Sequence, residues 1–253
     1  MSAVGFIGTG HIAAPMARAL ARDGHQVFVS ERNAEIAAAL VAGDPQIRAM
    51  ANQAVLDRAE IVFLCLRPHV AVDILAGLRF RADQKIVSVM SGITMAQLQA
   101  TLAPATEICM TIPLGYLEAG GCPLAAFPSG DILKPLFGAQ NPVIPVASEA
   151  ALNRHFAICA FVPGVLDLMA TAAGWLGDQT GDPEAAAQYT TQLLAGFLAA
   201  LPDQGSGRLA AERDALATEG TLSLQMTDAL RSGGAHAALL AGLDGIKTRL
   251  DTQ

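Results

Sequence analysis

The stretch Val4-Gly5-Phe6-Ile7-Gly8-Thr9-Gly10-His11-Ile12-Ala13 decides how this chain folds. Its apolar start predicts a β-strand, Gly8-x-Gly10 predicts a tight turn, and the Ala-rich segment that follows predicts a helix. In such a turn the first glycine lets the chain bend sharply and the second leaves no Cβ in the way of a pyrophosphate, while Ala13 lets helix and strand pack closely. The helix N-terminus would then face the phosphates of a dinucleotide. The alternative is a tight strand-to-helix turn that binds no ligand.

Composition and charge indicate a globular protein and argue against several kinds of partner. The chain has 253 residues, of which 52% are hydrophobic, so one large or two modest domains with a sizeable core are expected. The net charge of −7, without a basic block, argues against nucleic acid and against an anionic membrane surface as partners. The four cysteines lie far apart and match no metal-ligand spacing, so no metal is expected. Because no signal peptide precedes the first strand, we expect a cytoplasmic protein.

One apolar stretch, 156–176, approaches the length of a bilayer-spanning helix. It contains Pro163-Gly164 and the ionisable Asp167, and basic residues are sparse on its flanks. A helix that is hydrophobic on every side also fits the centre of a protein interface. We therefore expect an interface helix and no membrane.

Short apolar runs alternate with helical patterns, which is typical of a doubly wound α/β sheet. Strands are predicted over 26–30, 61–66, 85–90, 107–112, 124–127 and 142–146. The strand signals stop at Glu149, and helices are predicted over 184–201, 206–217, 220–232 and 235–251. The sequence thus predicts a Rossmann-type dinucleotide-binding domain over 1–147 and an all-helical domain over 148–253.

Ligands of doubly wound sheets collect at the carboxyl ends of the strands. Three loops are expected to converge there, namely 8–13, 65–69 and 89–93. The candidate cofactor-binding residues in them are Gly8, Thr9, Gly10, His11, Ile12, Ala13, Leu66, Arg67, Pro68, Ser91 and Gly92.

The residue at the end of the second strand helps to choose between NAD and NADP. An acidic side chain about 20 positions after the glycine turn would hold the ribose hydroxyls of NAD. This chain has Ser30 there, followed by Glu31-Arg32-Asn33. A small hydroxyl with an arginine nearby accommodates a 2′-phosphate, so Ser30 and Arg32 are assigned to the cofactor and NADP is favoured over NAD. An inward-turned Glu31 would favour NAD instead.

Further motifs accompany the glycine turn. They are Leu66-Arg67-Pro68, the segment Val87-Ser88-Val89-Met90-Ser91-Gly92-Ile93-Thr94, and the region from Gly220 to Gly234. Together with the turn they resemble the pyrroline-5-carboxylate reductase family. The resemblance implies a Rossmann domain followed by a helical domain that interlocks with a second subunit, giving a homodimer. It also implies hydride transfer from NADPH or NADH to a cyclic imino acid, a step of proline biosynthesis, and it places Asn52 at the cofactor.

The sequence departs from that family where the substrate would bind. The family's Met-Pro-Asn-Thr-Pro is replaced by Ile112-Pro113-Leu114-Gly115-Tyr116, and its Ser-Pro-Gly-Gly-x-Thr by Thr218-Glu219-Gly220-Thr221-Leu222-Ser223. A site that binds its substrate through hydrogen bonds loses much of its affinity and specificity when the hydrogen-bonding side chains are absent. The remaining catalytic candidates are the hydroxyls of Ser223 and Thr221, with Glu219 as a possible acid.

Three functions remain open from the sequence. The first is an NADP-dependent oxidoreductase that transfers a hydride from NADPH to a small molecule with a C=N or related C=O group. The second is an enzyme like the F420-dependent NADP reductases, because similar N-terminal domains occur there. The third is an NADP-binding regulatory protein with impaired catalysis, which the replaced polar motifs support.

Overall fold

The computed structural model describes residues 1–201 and 208–251, and these fall into two compact units. The first unit comprises Met1–Phe156 together with the chain from Arg249 onward, and the second comprises Ala157–Thr248. The predicted boundary near Ala147 follows the last strand, whereas the first unit also takes in the start of the next helix. That helix packs on the first unit because Leu152 is fully buried and Glu149 accepts a hydrogen bond from the backbone N–H of Met95 at 3.2 Å.

The first unit is built on an eight-stranded sheet. Its strands are β1 (Ala3–Ile7), β2 (Gln26–Ser30), β3 (Ile47–Met50), β4 (Ile61–Leu64), β5 (Lys85–Ser88), β6 (Glu107–Thr111), β7 (Leu124–Phe127) and β8 (Val143–Pro145). Their spatial order is β3-β2-β1-β4-β5-β6-β7-β8. The first six strands are mutually parallel, β7 pairs antiparallel to β6, and β8 runs parallel to β7. The order of the first six is the Rossmann order, so the predicted fold class is confirmed.

Helices connect the strands and then form the regular structure of the described part of the second unit. The connecting helices are α1 (Ala13–Arg22), α2 (Ala34–Gly43), α3 (Asn52–Arg58), α4 (Pro68–Ala76), α5 (Met95–Thr101) and α6 (Lys134–Phe137), and α7 (Glu149–Cys159) follows the last strand. After them come α8 (Phe161–Thr180), α9 (Pro183–Ala200), α10 (Arg208–Leu216), α11 (Leu222–Ser232) and α12 (Ala235–Asp251). The helix predicted over 206–217 corresponds to α10, and its residues 206 and 207 lie outside the described residues. Strand β3 and helix α4 were not predicted.

The core of the first unit lies between the sheet and its covering helices. All four residues of β4 are buried, as expected for a central parallel strand covered on both faces. Phe6 stacks on Phe63 with ring centroids 5.0 Å apart, and Phe63 meets Phe137 edge to face at 6.0 Å. A Cβ on Gly5 would lie 2.7 Å from Val55 Cγ1, so this glycine allows α3 to approach β1. The packing fixes the positions of the strand ends.

The second unit has little interior of its own within the described residues. None of the residues of α10, α11 and α12 is buried. Phe161, Leu168 and Trp175 are exposed, and their spacing of seven places them on one face of α8. By length and composition alone, the helical stretch Glu149–Thr180 could also cross a membrane, with a mean hydropathy of 1.8. Helices of an extended protein interface share this composition.

An ion pair joins the two chain segments of the first unit. Arg154 in α7 meets Asp251 at the end of α12 through two N–H···O contacts of 2.7 and 3.1 Å. This bidentate geometry is the stronger form of an arginine–carboxylate pair, although both side chains are partly exposed. The chain therefore returns to the first unit after the helical region.

Candidate functional site

A cavity of about 780 Å³ opens at the carboxyl ends of β1, β4 and β5. Parallel sheets place their ligand sites at this edge, where the strand order reverses direction. Its volume suits a large cofactor. Eleven of the sequence-predicted cofactor residues line it: Gly8, Thr9, Gly10, His11, Ile12, Ala13, Arg32, Leu66, Arg67, Pro68 and Ser91.

The glycine turn forms the floor of this cavity. Gly8 has φ +95°, and a Cβ there would lie 2.5 Å from the carbonyl oxygen of Cys65, so only glycine fits. A Cβ on Gly10 would meet no atom within 4 Å, so the space beside it is open. These are the two roles that the motif predicts for its glycines.

The N-terminus of α1 lines the cavity through Ile12 and Ala13, whereas the N–H of Ala14 already donates to the Gly10 carbonyl and Pro15 has none. Ile12 occupies the N-cap position without a side-chain cap, and the first turn of α1 carries no acidic residue. The first N–H groups of a helix have no intrahelical partners and favour a negative charge. An anion at this end of the cavity would therefore be stabilised by α1, as the pyrophosphate of a dinucleotide requires.

The charged side chains of the cavity are basic, although the chain as a whole is acidic. The charged residues are Arg32 and Arg67, the imidazoles of His11 and His69 also line the cavity, and no aspartate or glutamate is found among the described lining residues. Glu31 is exposed but does not contribute to the lining. A phosphate-rich ligand would thus meet cations without a competing carboxylate in the wall.

The wall at the ends of β4 and β5 is apolar. Leu66 and Met90 are buried, and Cys65 and Val89 lie beside them in the lining. Burial raises the pKa of the Cys65 thiol, so the sulfur stays protonated at neutral pH and is a poor nucleophile. This part of the cavity provides a water-excluding surface rather than an acid or a base.

Three predicted cofactor residues do not line the cavity. Ser30 is fully buried, and its hydroxyl accepts a hydrogen bond from the Gly8 N–H of the glycine turn. Asn52 is the first residue of α3, away from the lining. Gly92 follows the lining residue Ser91 and has φ +73°. The Ser30 hydroxyl, which was predicted to accommodate a 2′-phosphate, therefore makes its contact within the protein.

The catalytic candidates all belong to the second unit. Thr221 caps α11 by accepting from the N–H of Leu224 at 3.2 Å, and it donates its own proton to the carbonyl of Thr218 at 2.7 Å. Ser223 lines a hollow of about 280 Å³ within this unit, in which Glu212 and Arg213 accompany leucine side chains, and Glu219 is exposed. The Thr221 hydroxyl thus acts as a helix cap whose only proton is already used.

Sequence reasoning missed part of the lining. The residues not assigned in advance are Asn33, Ala34, Cys65, His69, Val70, Val89 and Met90. Most of them lie in the predicted loops at the strand ends. His69 and Val70 belong to the first turn of α4, which begins at Pro68. Proline at the first helical position was the signal that could have revealed this helix.

Comparison with known proteins agrees with the geometry. Residues 3–92 match the family model described as NADP oxidoreductase, coenzyme F420-dependent. That match covers most of the strands and turns that form the cavity. A comparison with curated proteins gave no match.

Solved structures share the fold over nearly the whole chain. A pyrroline-5-carboxylate reductase from Streptococcus pyogenes has a TM-score of 0.82 and 19% identity, with coverage of 99% of this chain and 98% of that one. The Plasmodium falciparum pyrroline carboxylate reductase with NADP bound has a TM-score of 0.82 and 12% identity, with coverage of 99% and 97%. A reductive aminase from Aspergillus terreus in complex with NADPH has a TM-score of 0.61 and 17% identity, with coverage of 100% of this chain and 93% of that one. The resemblance to pyrroline-5-carboxylate reductases is thereby confirmed as a shared fold.

Substitution of Gly10 separates ligand space from folding. We expect Gly10→Ala to keep the thermal unfolding midpoint of the unliganded protein, because its Cβ meets no protein atom. The same Cβ should weaken binding of NADPH and NADH by roughly 10-fold or more, since it fills space reserved for the pyrophosphate. Isothermal titration calorimetry measures both affinities.

Gly43→Ala is the matched control, because a Cβ at this surface position at the end of α2 also meets nothing within 4 Å. It should leave both affinities unchanged. Full affinity in Gly10→Ala would mean that no phosphate approaches this turn.

Proposed function

We propose that this chain is an NADP(H)-dependent oxidoreductase that reduces a C=N or related C=O bond of a small molecule and acts as a homodimer. One observation carries the proposal. A cavity at the Rossmann switch point sits over an uncapped helix N-terminus and is lined by two arginines and no carboxylate among the described residues. Such a cavity fits a pyrophosphate with an additional phosphate.

The lining favours NADP over NAD. Arg32, Asn33 and Ala34 border the cavity at the end of β2, whereas Glu31 does not. A guanidinium binds a phosphate with charge-assisted hydrogen bonds and gains little from a ribose hydroxyl. Arg32 would therefore hold the 2′-phosphate, while α1 would hold the pyrophosphate.

Bound NADPH would supply the hydride, and the protein would orient it and exclude water. The apolar wall of Leu66, Val89 and Met90 suits the second task because a dry surface suppresses side reactions. With a neutral Cys65 in the same wall, a covalent intermediate is not expected there. The chemistry thus needs an acceptor that takes a hydride directly, such as an imine or a ketone.

The substrate side argues for an acceptor other than pyrroline-5-carboxylate. The Thr221 hydroxyl donates its only proton to the Thr218 carbonyl, so it offers no donor to a substrate carboxylate. Ser223 lines a hollow that it shares with both Glu212 and Arg213, so a carboxylate there would meet a competing carboxylate. The fold also occurs in a reductive aminase crystallised with ethyl-5-oxohexanoate, an ester without a free carboxylate. We therefore propose an acceptor without a carboxylate, and we treat proline biosynthesis as the alternative to be tested first.

The exposed apolar face of the second unit supports the homodimer. Leu168 and Trp175 on α8 are 61% and 65% exposed, and α10, α11 and α12 bury none of their described residues. Isolated helices without a buried face are marginal in water. A second copy of the chain would cover this surface and supply the missing core. The surface is also what a membrane partner would need, and the experiment on Leu168 below distinguishes the two.

A second function is favoured by the matched family model. Its description names coenzyme F420, so hydride exchange between F420 and NADP is a candidate reaction. Both reactions require NADP in the same cavity and differ in the second substrate. A protein that binds NADP without turnover would show neither.

The assay that tests the proposal follows NADPH consumption by its absorbance. We expect oxidation of NADPH with cyclic imines or ketones that lack a carboxylate, and a much lower kcat/KM with pyrroline-5-carboxylate. Reduction of NADP by reduced F420 would instead establish the second function. If pyrroline-5-carboxylate is the best substrate, the argument from Thr221 is wrong; if NADPH binds but nothing turns over, the protein is a binding protein.

Replacing Arg32 tests the choice of cofactor. We expect Arg32→Ala to weaken the binding of NADPH by about 10- to 100-fold, which is the value of a charged hydrogen-bond pair. The affinity for NADH should change by no more than about 2-fold. Arg58→Ala is the control, because this exposed arginine ends α3 and does not line the cavity. An equal loss of affinity for both nucleotides would show that Arg32 does not bind the 2′-phosphate.

Replacing Leu168 tests the homodimer. Leu168→Glu places a charge in the apolar face of α8, so we expect light scattering to report a monomer, with a red shift in the emission of Trp175, the sole tryptophan. Val41→Glu adds the same charge at an exposed apolar position of α2 and should leave the dimer intact. Wild-type protein that is monomeric, or that requires detergent for extraction, would contradict the homodimer.

A further inference from the structure

The end of β2 is tied to the glycine turn by a buried set of hydrogen bonds. Gly8 N–H donates to Ser30 Oγ at 2.9 Å, Thr9 Oγ1 donates to the Ser30 carbonyl at 2.6 Å, and the two hydroxyl oxygens are 3.1 Å apart. Ser30 is 0% exposed and Thr9 4% exposed. We refer to these contacts as the Thr9–Ser30 clamp.

The clamp has only one consistent arrangement of protons. Each hydroxyl carries a single proton. Thr9 gives its proton to the Ser30 carbonyl, so the contact between the two hydroxyls must be donated by Ser30. Both protons are therefore used inside the protein. Ser30 has no donor left for a ribose hydroxyl or a 2′-phosphate.

The clamp begins where the backbone pairing of the sheet ends. The β1–β2 ladder stops at Phe6 and Val29, since the chain must leave the sheet to form the turn. Buried backbone N–H and C=O groups beyond that point still need partners. The two hydroxyls satisfy the N–H of Gly8 and the carbonyl of Ser30, and in doing so they hold the turn against the end of β2.

We propose that Ser30 and Thr9 are positioning residues for the dinucleotide, acting through the glycine turn, and that Ser30 plays no part in the choice between NADP and NAD. The inference rests on the proposed nucleotide binding. It separates two tasks at neighbouring positions. The clamp sets the turn that receives the pyrophosphate, which both nucleotides carry, whereas Arg32 meets the 2′-phosphate, which only NADP carries.

Loss of the clamp should therefore weaken the binding of both nucleotides to the same extent. Thr9→Val keeps the volume of the side chain and removes the hydroxyl, and Ser30→Ala removes the other. We expect each substitution to weaken the binding of NADPH and of NADH by roughly 5- to 10-fold, which is the value of one or two hydrogen bonds. The ratio of the two affinities should stay unchanged within about 2-fold. Titration calorimetry on the full-length protein measures both constants, and a thermal scan shows that each variant is folded.

Two further variants separate positioning from a general loss of stability. Thr9→Ser retains the hydroxyl and should bind like the wild type. Thr111→Val makes the same chemical change as Thr9→Val at a residue that is 1% exposed and whose Oγ1 has no hydrogen-bond partner among the described residues. It should keep nucleotide affinity, and removal of an unpaired buried hydroxyl should leave the unfolding temperature equal or higher.

Each outcome has a definite meaning. A loss confined to NADPH would show that these hydroxyls meet the 2′-phosphate and would overturn the inference, as would unchanged affinity in Thr9→Val and Ser30→Ala. An equal loss in Thr9→Ser would also overturn it, because the hydroxyl would then not be the cause. In all three cases the wild type binds NADPH, so the proposed function stands. If the wild-type protein binds neither nucleotide, both the inference and the proposed function are wrong.

Discussion

The structure depends on one close backbone approach, that of Gly8 to the end of the neighbouring strand. A side chain there would collide with the carbonyl of Cys65 at 2.5 Å. Bare backbone at this point brings the first turn and the end of β4 to a common edge, and the cavity lies along that edge. The clamp from Ser30 then holds the turn from the other side. The geometry of the glycine turn is thus set by backbone contacts and buried hydroxyls more than by the side chains that line the cavity.

The sequence predicted the parts of this arrangement that follow from local pattern. Continuous apolar runs and the glycine spacing were sufficient for the Rossmann sheet, the first turn and most of the lining. Strand β3 was missed because only Ile47 of its four residues is buried, so it carries little apolar signal. The role of Ser30 was not predictable, since the direction of a strand-end hydroxyl depends on its neighbour in space. Residue type alone favoured a role beside the 2′-phosphate.

The two units differ in how much of their stability is present in a single chain. The sheet unit has a continuous core around Phe6 and Phe63, whereas the described helices of the second unit leave large apolar side chains in solvent. A folded domain needs a buried face to offset the entropy of ordering its chain. The proposed homodimer would supply that buried face, and it would also give the apolar composition of α8 a role.

The Arg154–Asp251 ion pair shows that the chain enters and leaves the helical region at one place. In topological terms the helical unit is an insertion in a sheet unit whose two ends already touch. Joining those ends would therefore require only a short linker. Exchange of the inserted helices could change the exposed apolar face of the second unit while the sheet and its cavity stay the same.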